Sequence, residues 1–435
     1  MSTTDFEAVP AVSGQAAESP VDTVVMKFGG TSVGDTERLK AVARRIVAAH
    51  DRGTRVVAVL SAMGNSTDEL VALAYEVSPR PKPRELDMLI SVGERISCAL
   101  AAMAIHDLGH EAISLTGSQA GIVTDTAHGK AKIVDIRAKR IHEALDEDKI
   151  VLVAGFQGVS TDLEITTLGR GGSDTTAVAL AVALGAEACE IYTDVEGIFS
   201  ADPRMVPGAR KLDEVTYEEM LEMSASGAKV LQLRSVEFAR NHGMRLHVRS
   251  TFSDAEGTWI REEGETVLEK AIIAGVTHDT GEAKVTIHGV PDRPGVAALV
   301  FRTLADLHVN IDMIVQNVSV QGHTDISFTL PKEDIAVAQP TLEEVAREVG
   351  AAGFTTDPDI AKVSLIGAGM KSHPGIAADM FDALASEEIN IEIISTSSIR
   401  ISCVVRAKDV ERAVRVVHDR FDLSAPVSSR VTSDA

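Results

Sequence analysis

Aromatic residues make up only 3% of this 435-residue chain. So little ring surface leaves little material for the stacking platforms of a single-strand nucleic-acid binder. Positive charge is also short. The 42 Lys and Arg stand against 64 Asp and Glu, a net charge of −22. Without a local basic run such a chain repels a polyanion, so no nucleic-acid partner is expected. One small anion can still be held by a few converging lysines and amides. Cysteine is scarce. Cys98, Cys189 and Cys403 lie far apart, match no zinc spacing and are odd in number, which reads as a reduced, cytoplasmic protein. No apolar run reaches the roughly 18 residues of a membrane helix, and the N-terminus lacks the apolar core of a signal peptide. No membrane association is expected. Residues 1–22, rich in Ala, Ser, Thr, Pro and acids, read as a disordered tail. His106 and His110 have helical spacing, but Gly109 lies between them and no third ligand is evident. No metal held by protein side chains is expected.

What is present is organised in two halves. A chain of this length exceeds one hydrophobic core. From 23 to 255, β-branched runs such as "TRVVAVLSAMG" and "IVLVAGFQG" alternate with amphipathic stretches such as "ERLKAVARRIVAAHD". That alternation predicts an α/β domain with a largely parallel sheet buried on both faces. Ligands in such folds sit beyond the C-terminal ends of the strands. The polar stretch 253–266 reads as a linker, and 256–282 as linker plus the first strand of a second region. An internal repeat follows. Pro294-Gly295 and Asn310-Ile311 recur 80 residues later as Pro374-Gly375 and Asn390-Ile391. Each copy, 283–355 and 356–435, reads as a ferredoxin-like βαββαβ unit. Two copies are too few for a solenoid and suit a side-by-side pair.

The chemistry-bearing motifs lie in the first half. "KFGGTSV" (27–33) ends a strand. Its lysine precedes the glycines, so it is not the G-x-x-x-x-G-K-[ST] phosphate loop, and G-x-G-x-x-G is absent too. Gly29-Gly30 reads either as a tight strand-to-helix turn or as backbone cleared for phosphate oxygens. Lys27, at the end of a very apolar strand, calls for an anionic partner. A helix from about Asp35 would aim its positive end the same way. In "TTLGRGGSDTTAVALAVALGA" (166–186), Asp174 reads as a helix N-cap or a site residue. Arg170 suits a carboxylate. "YTDVEGIFSADPR" (192–204) holds Asp194 and Asp202, which read as solvated turn or site. Lys229 in "GAKVL" and Glu94 in "SVGERIS" mean little alone.

Together these motifs, with "SAMGNSTDEL", "GFQGV" and "GAKVLQLRSVEFA", stand in order over 27–239. In that order they resemble the aspartate kinases of the amino-acid-kinase superfamily. The C-terminal repeat resembles the paired ACT domains with which that family senses amino acids, and the pattern is similar to the actinobacterial lysine- and threonine-regulated type. The resemblance implies a three-layer αβα kinase domain followed by two ACT units. It implies transfer of the ATP γ-phosphoryl group, with Mg2+ carried by ATP, to the β-carboxylate of L-aspartate, in the pathway to lysine, threonine and methionine. A carboxylate is already ionised at pH 7, so no general base is needed. Among the matched positions, Lys27 and Asp174 would be catalytic. Thr67, Glu94, Arg170 and Ser173 would hold aspartate. Lys27, Gly29, Gly30, Ser32, Ser61, Thr193, Asp194, Arg204, Lys229 and Val230 would border ATP. Effectors, threonine and/or lysine, would meet Asp292, Asn310, Ile311, Asp312 and Gln316 in the first ACT unit. In the second they would meet Ile376, Ala377, Asn390, Ile391 and Ser397. The implied assembly is a homodimer through the ACT domains, or α2β2 with an internally started C-terminal subunit. One departure is Ser398: related sequences often carry an acid there. Rival readings are another carboxylate kinase of the superfamily or a silent amino-acid sensor. The sensor predicts loss of Lys27, Arg170 or Asp174, and all three are present.

Overall fold

The computed structural model describes residues 22–262, 273–317, 322–373 and 375–424. All of the 1–22 tail except Asp22, part of the linker, Pro374 of the second Pro-Gly pair and residues 425–435 lie outside the described residues.

The first half is built on an eight-stranded sheet. Its order is Glu214–Thr216, Thr258–Arg261, Leu246–Ser250, Ala188–Thr193, Thr23–Phe28, Arg55–Leu60, Ile150–Ala154 and Ala112–Leu115. The six strands from Leu246–Ser250 to Ala112–Leu115 run parallel, and Thr258–Arg261 turns antiparallel to its neighbour Leu246–Ser250. The expected linker 253–266 therefore contains a strand of this sheet, Thr258–Arg261. A short stretch flanked by polar residues carries no period long enough to show it.

Consecutive strand residues feed opposite cores. Val25, Val57, Val59, Val151 and Val153 pack on one face with helix Gly172–Ala183. Met26, Phe28, Val56, Ala58, Leu60 and Leu152 pack on the other with Thr36–His50 and Val92–Asp107. Both faces are covered, which is why the strands read as unbroken apolar runs.

Helices Pro83–Ile90 and Val92–Asp107 make a run of 25 residues long and apolar enough to cross a membrane. The sequence reading expected no such run. Half of its most apolar window is buried, and Asp87 and Glu94 are buried on it. Packing against the sheet accounts for its apolar character.

The second half forms two four-stranded antiparallel sheets. One runs Ile314–Gln316, His323–Pro331, Glu282–Pro291, Gly353–Asp357. The other runs Gly275–Asp279, Ile360–Ile366, Arg400–Arg406, Ile393–Thr396. The first is the expected βαββαβ unit. The second is not closed by a fourth strand of its own among the described residues. Gly275–Asp279, from before the first unit, fills that edge by pairing with Ile360–Ile366. The first unit is thus inserted within the second, a long-range pairing that the repeat alone does not reveal.

Candidate active site

The strand ends are in register. Lys27 pairs with Val59 and Ile191, and Phe28 with Leu60 and Tyr192. Ser61 N–H donates to the Phe28 carbonyl at 3.1 Å, and Gly155 N–H to Leu60 at 3.1 Å. Gly29, Ser61 and Gly155 therefore line one edge of the sheet. Gly64 N–H donates to the Gly30 carbonyl at 3.1 Å. A Cβ on Gly30 would sit 3.0 Å from the Ala62 carbonyl oxygen, so the turn has room only for backbone. Asp35 caps the following helix, accepting from Arg38 N–H at 2.9 Å.

Lys27 finds its anion in Asp174, with Nζ 2.5 Å from Oδ1 and both side chains largely buried. The alternative reading of Asp174 as an N-cap is corrected. Gly171, at φ +70°, caps helix Gly172–Ala183, and Asp174 sits in its first turn facing the sheet. Ser173 packs on Gly155, where an added Cβ would meet its Oγ at 2.7 Å. Arg170 is exposed just before the helix.

Glu94 is only 2% exposed. Its Oε1 accepts from Ala62 N–H at 3.2 Å, and its Oε2 is buried with no hydrogen-bond partner. Burial pushes its carboxyl up to about 7. Gly93 lets this helix press on Ala62 beside the Thr67 hydroxyl. Glu94, Thr67 and the Ser61–Ala62 turn are thus brought together. Ser32 is fully buried, and its hydroxyl lies 2.7 Å from that of Thr251.

A cleft of about 420 Å³ opens beyond Tyr192. Thr193, Asp194, Arg204, Lys229 and Val230 all line it. Arg204 holds Asp202 through two bonds of 3.0 and 2.7 Å. The cleft also includes Thr277 and His278, which the sequence reading missed. They come from the strand that completes the second ACT sheet, and no local motif marks them. Burial keeps His278 below the usual imidazole range, hence neutral at pH 7.

In the regulatory half, Asp312 ion-pairs with Lys362 of the second unit. Ser397 donates to Glu222 on kinase helix Tyr217–Ala225 at 3.0 Å. Asp292, Asn310, Gln316 and Asn390 are exposed, Ile311, Ala377 and Ile391 half-buried, and Ile376 buried.

Comparison with known proteins follows the same division. Residues 22–250 match the amino acid kinase family, and residues 285–345 and 363–421 the ACT domain. The aspartokinase of Mycobacterium tuberculosis H37Rv is 56% identical over 412 residues, 94% of this chain and 98% of that one. The chain belongs to the aspartokinase family. The Corynebacterium glutamicum aspartokinase is 53% identical over 92% of this chain and 96% of its own. Among solved structures, E. coli aspartokinase III with aspartate and ADP (R-state) matches with TM-score 0.79 and 26% identity, covering 92% of this chain and 99% of that one. The same enzyme with lysine and aspartate (T-state) matches with TM-score 0.71 and 27% identity, again covering 92% and 99%. This aspartokinase is therefore a kinase of amino-acid biosynthesis that phosphorylates aspartate with ATP.

Proposed function

We propose that the Lys27–Asp174 pair is the phosphoryl-transfer centre, with aspartate on its Glu94 side and the nucleotide on its Thr193 side. The buried 2.5 Å ion pair beside Gly29 carries this reading. The β-carboxylate oxygen of aspartate attacks the γ-phosphorus, the bond to the bridging oxygen breaks, and ADP leaves with the electron pair. No proton moves in that step. Catalysis then rests on positioning and on neutralising charge. Lys27 faces the transferred group, and Asp174 holds its ammonium in place. Backbone amides at Gly29 and Gly30, with Ser61, would lie against phosphate oxygens, and the positive end of helix Thr36–His50 adds to that field. Ser32 supports this turn from beneath through Thr251.

Glu94 would receive the substrate ammonium on its unpartnered oxygen. Arg170 would take the α-carboxylate, with Thr67 and Ser173 beside them. Thr193, Asp194, Arg204, Lys229 and Val230 would enclose the nucleotide. Of the acids around the site, Asp174 is paired with Lys27 and Asp202 with Arg204, and Asp194 accepts from the Thr193 hydroxyl. This fits a Mg2+ ion held chiefly by ATP, where it would offset phosphate charge.

The ACT pair would bind threonine and/or lysine around Asp292, Asn310–Asp312 and Gln316, and around Ile376–Ala377, Asn390–Ile391 and Ser397. Strands Ile314–Gln316 and Ile393–Thr396 are sheet edges that expose Ile314 and Ile394. Such edges favour pairing with a second copy, in a homodimer or with an internally started subunit. A cytoplasmic setting suits three free, buried cysteines.

The test is a hydroxamate assay that traps the acyl phosphate, run alone, with threonine, with lysine and with both. Lys27→Ala should lower kcat at least about 100-fold, roughly 3 to 4 kcal/mol, with the fold retained. A near-normal kcat would assign the phosphoryl charge to another group. Product formation that ignores both amino acids would reduce the ACT pair to an assembly platform.

A further inference from the structure

The end of the sheet away from the nucleotide carries a second cluster of ligand-type side chains. Helix Thr36–His50 starts beside the Gly29-Gly30 turn and runs 15 residues, roughly 22 Å at about 1.5 Å per residue, to His50 and Asp51. His110 follows helix Val92–Asp107, and Asp148 follows helix Lys139–Asp146. Three separate turns thus converge on one spot. His50 Nε2 lies 3.3 Å from Asp148 Oδ1, and His110 Nε2 lies 3.3 Å from Asp51 Oδ1. Donor atoms of His50, Asp51 and His110 all lie within 4.8 Å of one another. The two imidazoles meet edge to face with centroids 5.5 Å apart.

These distances exceed a charge-assisted hydrogen bond of about 2.7–2.9 Å. The His110–Asp51 separation matches the edge of a tetrahedron instead. With metal–ligand bonds of about 2.0–2.1 Å, tetrahedral donors stand about 3.3–3.4 Å apart. The Asp51 carboxylate would offset part of a divalent ion's charge, and the negative end of helix Thr36–His50 favours a cation at the same place. Two imidazoles with one carboxylate suit a borderline cation such as Zn2+, whereas Mg2+ takes oxygen donors. The histidine side chains are 16% and 25% exposed, and the carboxylates reach in from solvent. His106 is not part of the set, since its Nε2 is engaged by the Ala112 backbone.

We propose that His50, Asp51 and His110 form a three-ligand site for Zn2+ or a similar transition cation, with Asp148 against His50 on the solvent side and water completing a tetrahedron, far from the kinase centre. The experiment uses the full chain freed of metal with a chelator and kept in excess Mg2+ to occupy oxygen-only sites. Co2+ is titrated first, then Zn2+. One intense tetrahedral Co2+ spectrum per chain is expected, displaced by one equivalent of Zn2+, with a rise in Tm on Zn2+ binding. His50→Ala and His110→Ala should each lose the spectrum and the Tm rise while keeping kinase activity. Absence of a tetrahedral spectrum in the wild-type chain overturns the proposal whatever the variants do. A spectrum that persists in both variants overturns it as well.

Discussion

At the scale of single residues, the kinase site is a set of buried charges with uneven partners. Lys27 and Asp174 form an ion pair. One oxygen of Glu94 has no partner, and burial outweighs the backbone N–H groups and the Arg95 charge that favour its ionised form, so its carboxyl is pushed up to about 7. Because the folded value is raised, the contribution of this group to stability is complete below its ordinary value of 4.5 and is lost as pH rises through about 7. In the proposed role of Glu94 a substrate ammonium would reverse the balance, because it needs the ionised form. The KM for aspartate should therefore rise as pH falls below about 7, with a proton released on binding. Glu94→Gln should raise KM about tenfold or more, the scale of a lost charged hydrogen bond, and should abolish the pH slope. A Gln variant that keeps that slope would assign the titration to another group.

At the scale of elements, one glycine decides where the Asp174 helix begins. Gly171 has φ +70°, and a Cβ there would lie 2.0 Å from Cγ of Gln232. Both conformation and space exclude a side chain. Gly171→Ala should cost about 2 kcal/mol or more in a denaturant melt and lower kcat by displacing Asp174. Adding Gln232→Gly removes the collision, which reaches Gln232 Cβ at 2.4 Å, but not the strain, so stability should return only in part. Full recovery would mean that the conformation itself costs nothing. The sequence signalled a helix start here through Gly-Gly-Ser-Asp, but assigned Asp174 no single role. Capping and ion pairing use the same residue type, and only the strand carrying Lys27, far away in sequence, separates them.

At the scale of the whole molecule, one buried lysine joins the three domains. Lys362 is 1% exposed on the central strand of the second ACT unit. Its ammonium bonds to Glu282 at 2.8 Å, pairs with Asp312 of the first unit and reaches the Ala225 carbonyl, 3.5 Å away at the end of kinase helix Tyr217–Ala225. The same helix receives Arg400 through Glu222 at 3.2 Å and the Ala368 N–H through Glu219 at 3.3 Å. Lys362→Met should cost about 3–5 kcal/mol, because two carboxylates lose their counter-charge. Adding Glu282→Gln and Asp312→Asn should recover much of it. If Lys362→Met melts like the wild type, the carboxylates have found water, and the node is not closed.

Local order along the chain sufficed for the α/β alternation, the ordered kinase motifs and the duplicated regulatory unit. Each of these is written in contiguous residues, as strand and helix periods, glycine turns and a fixed offset of 80. Tertiary structure alone decided which charges meet. It paired Lys27 with Asp174, left one oxygen of Glu94 without a partner, brought Thr277 and His278 to the cleft, and completed the second ACT sheet with Gly275–Asp279. The physical reason is common to all four. A side chain's partner is set by which strand ends lie side by side, and strand order follows from long-range pairing that leaves no periodic trace in the sequence.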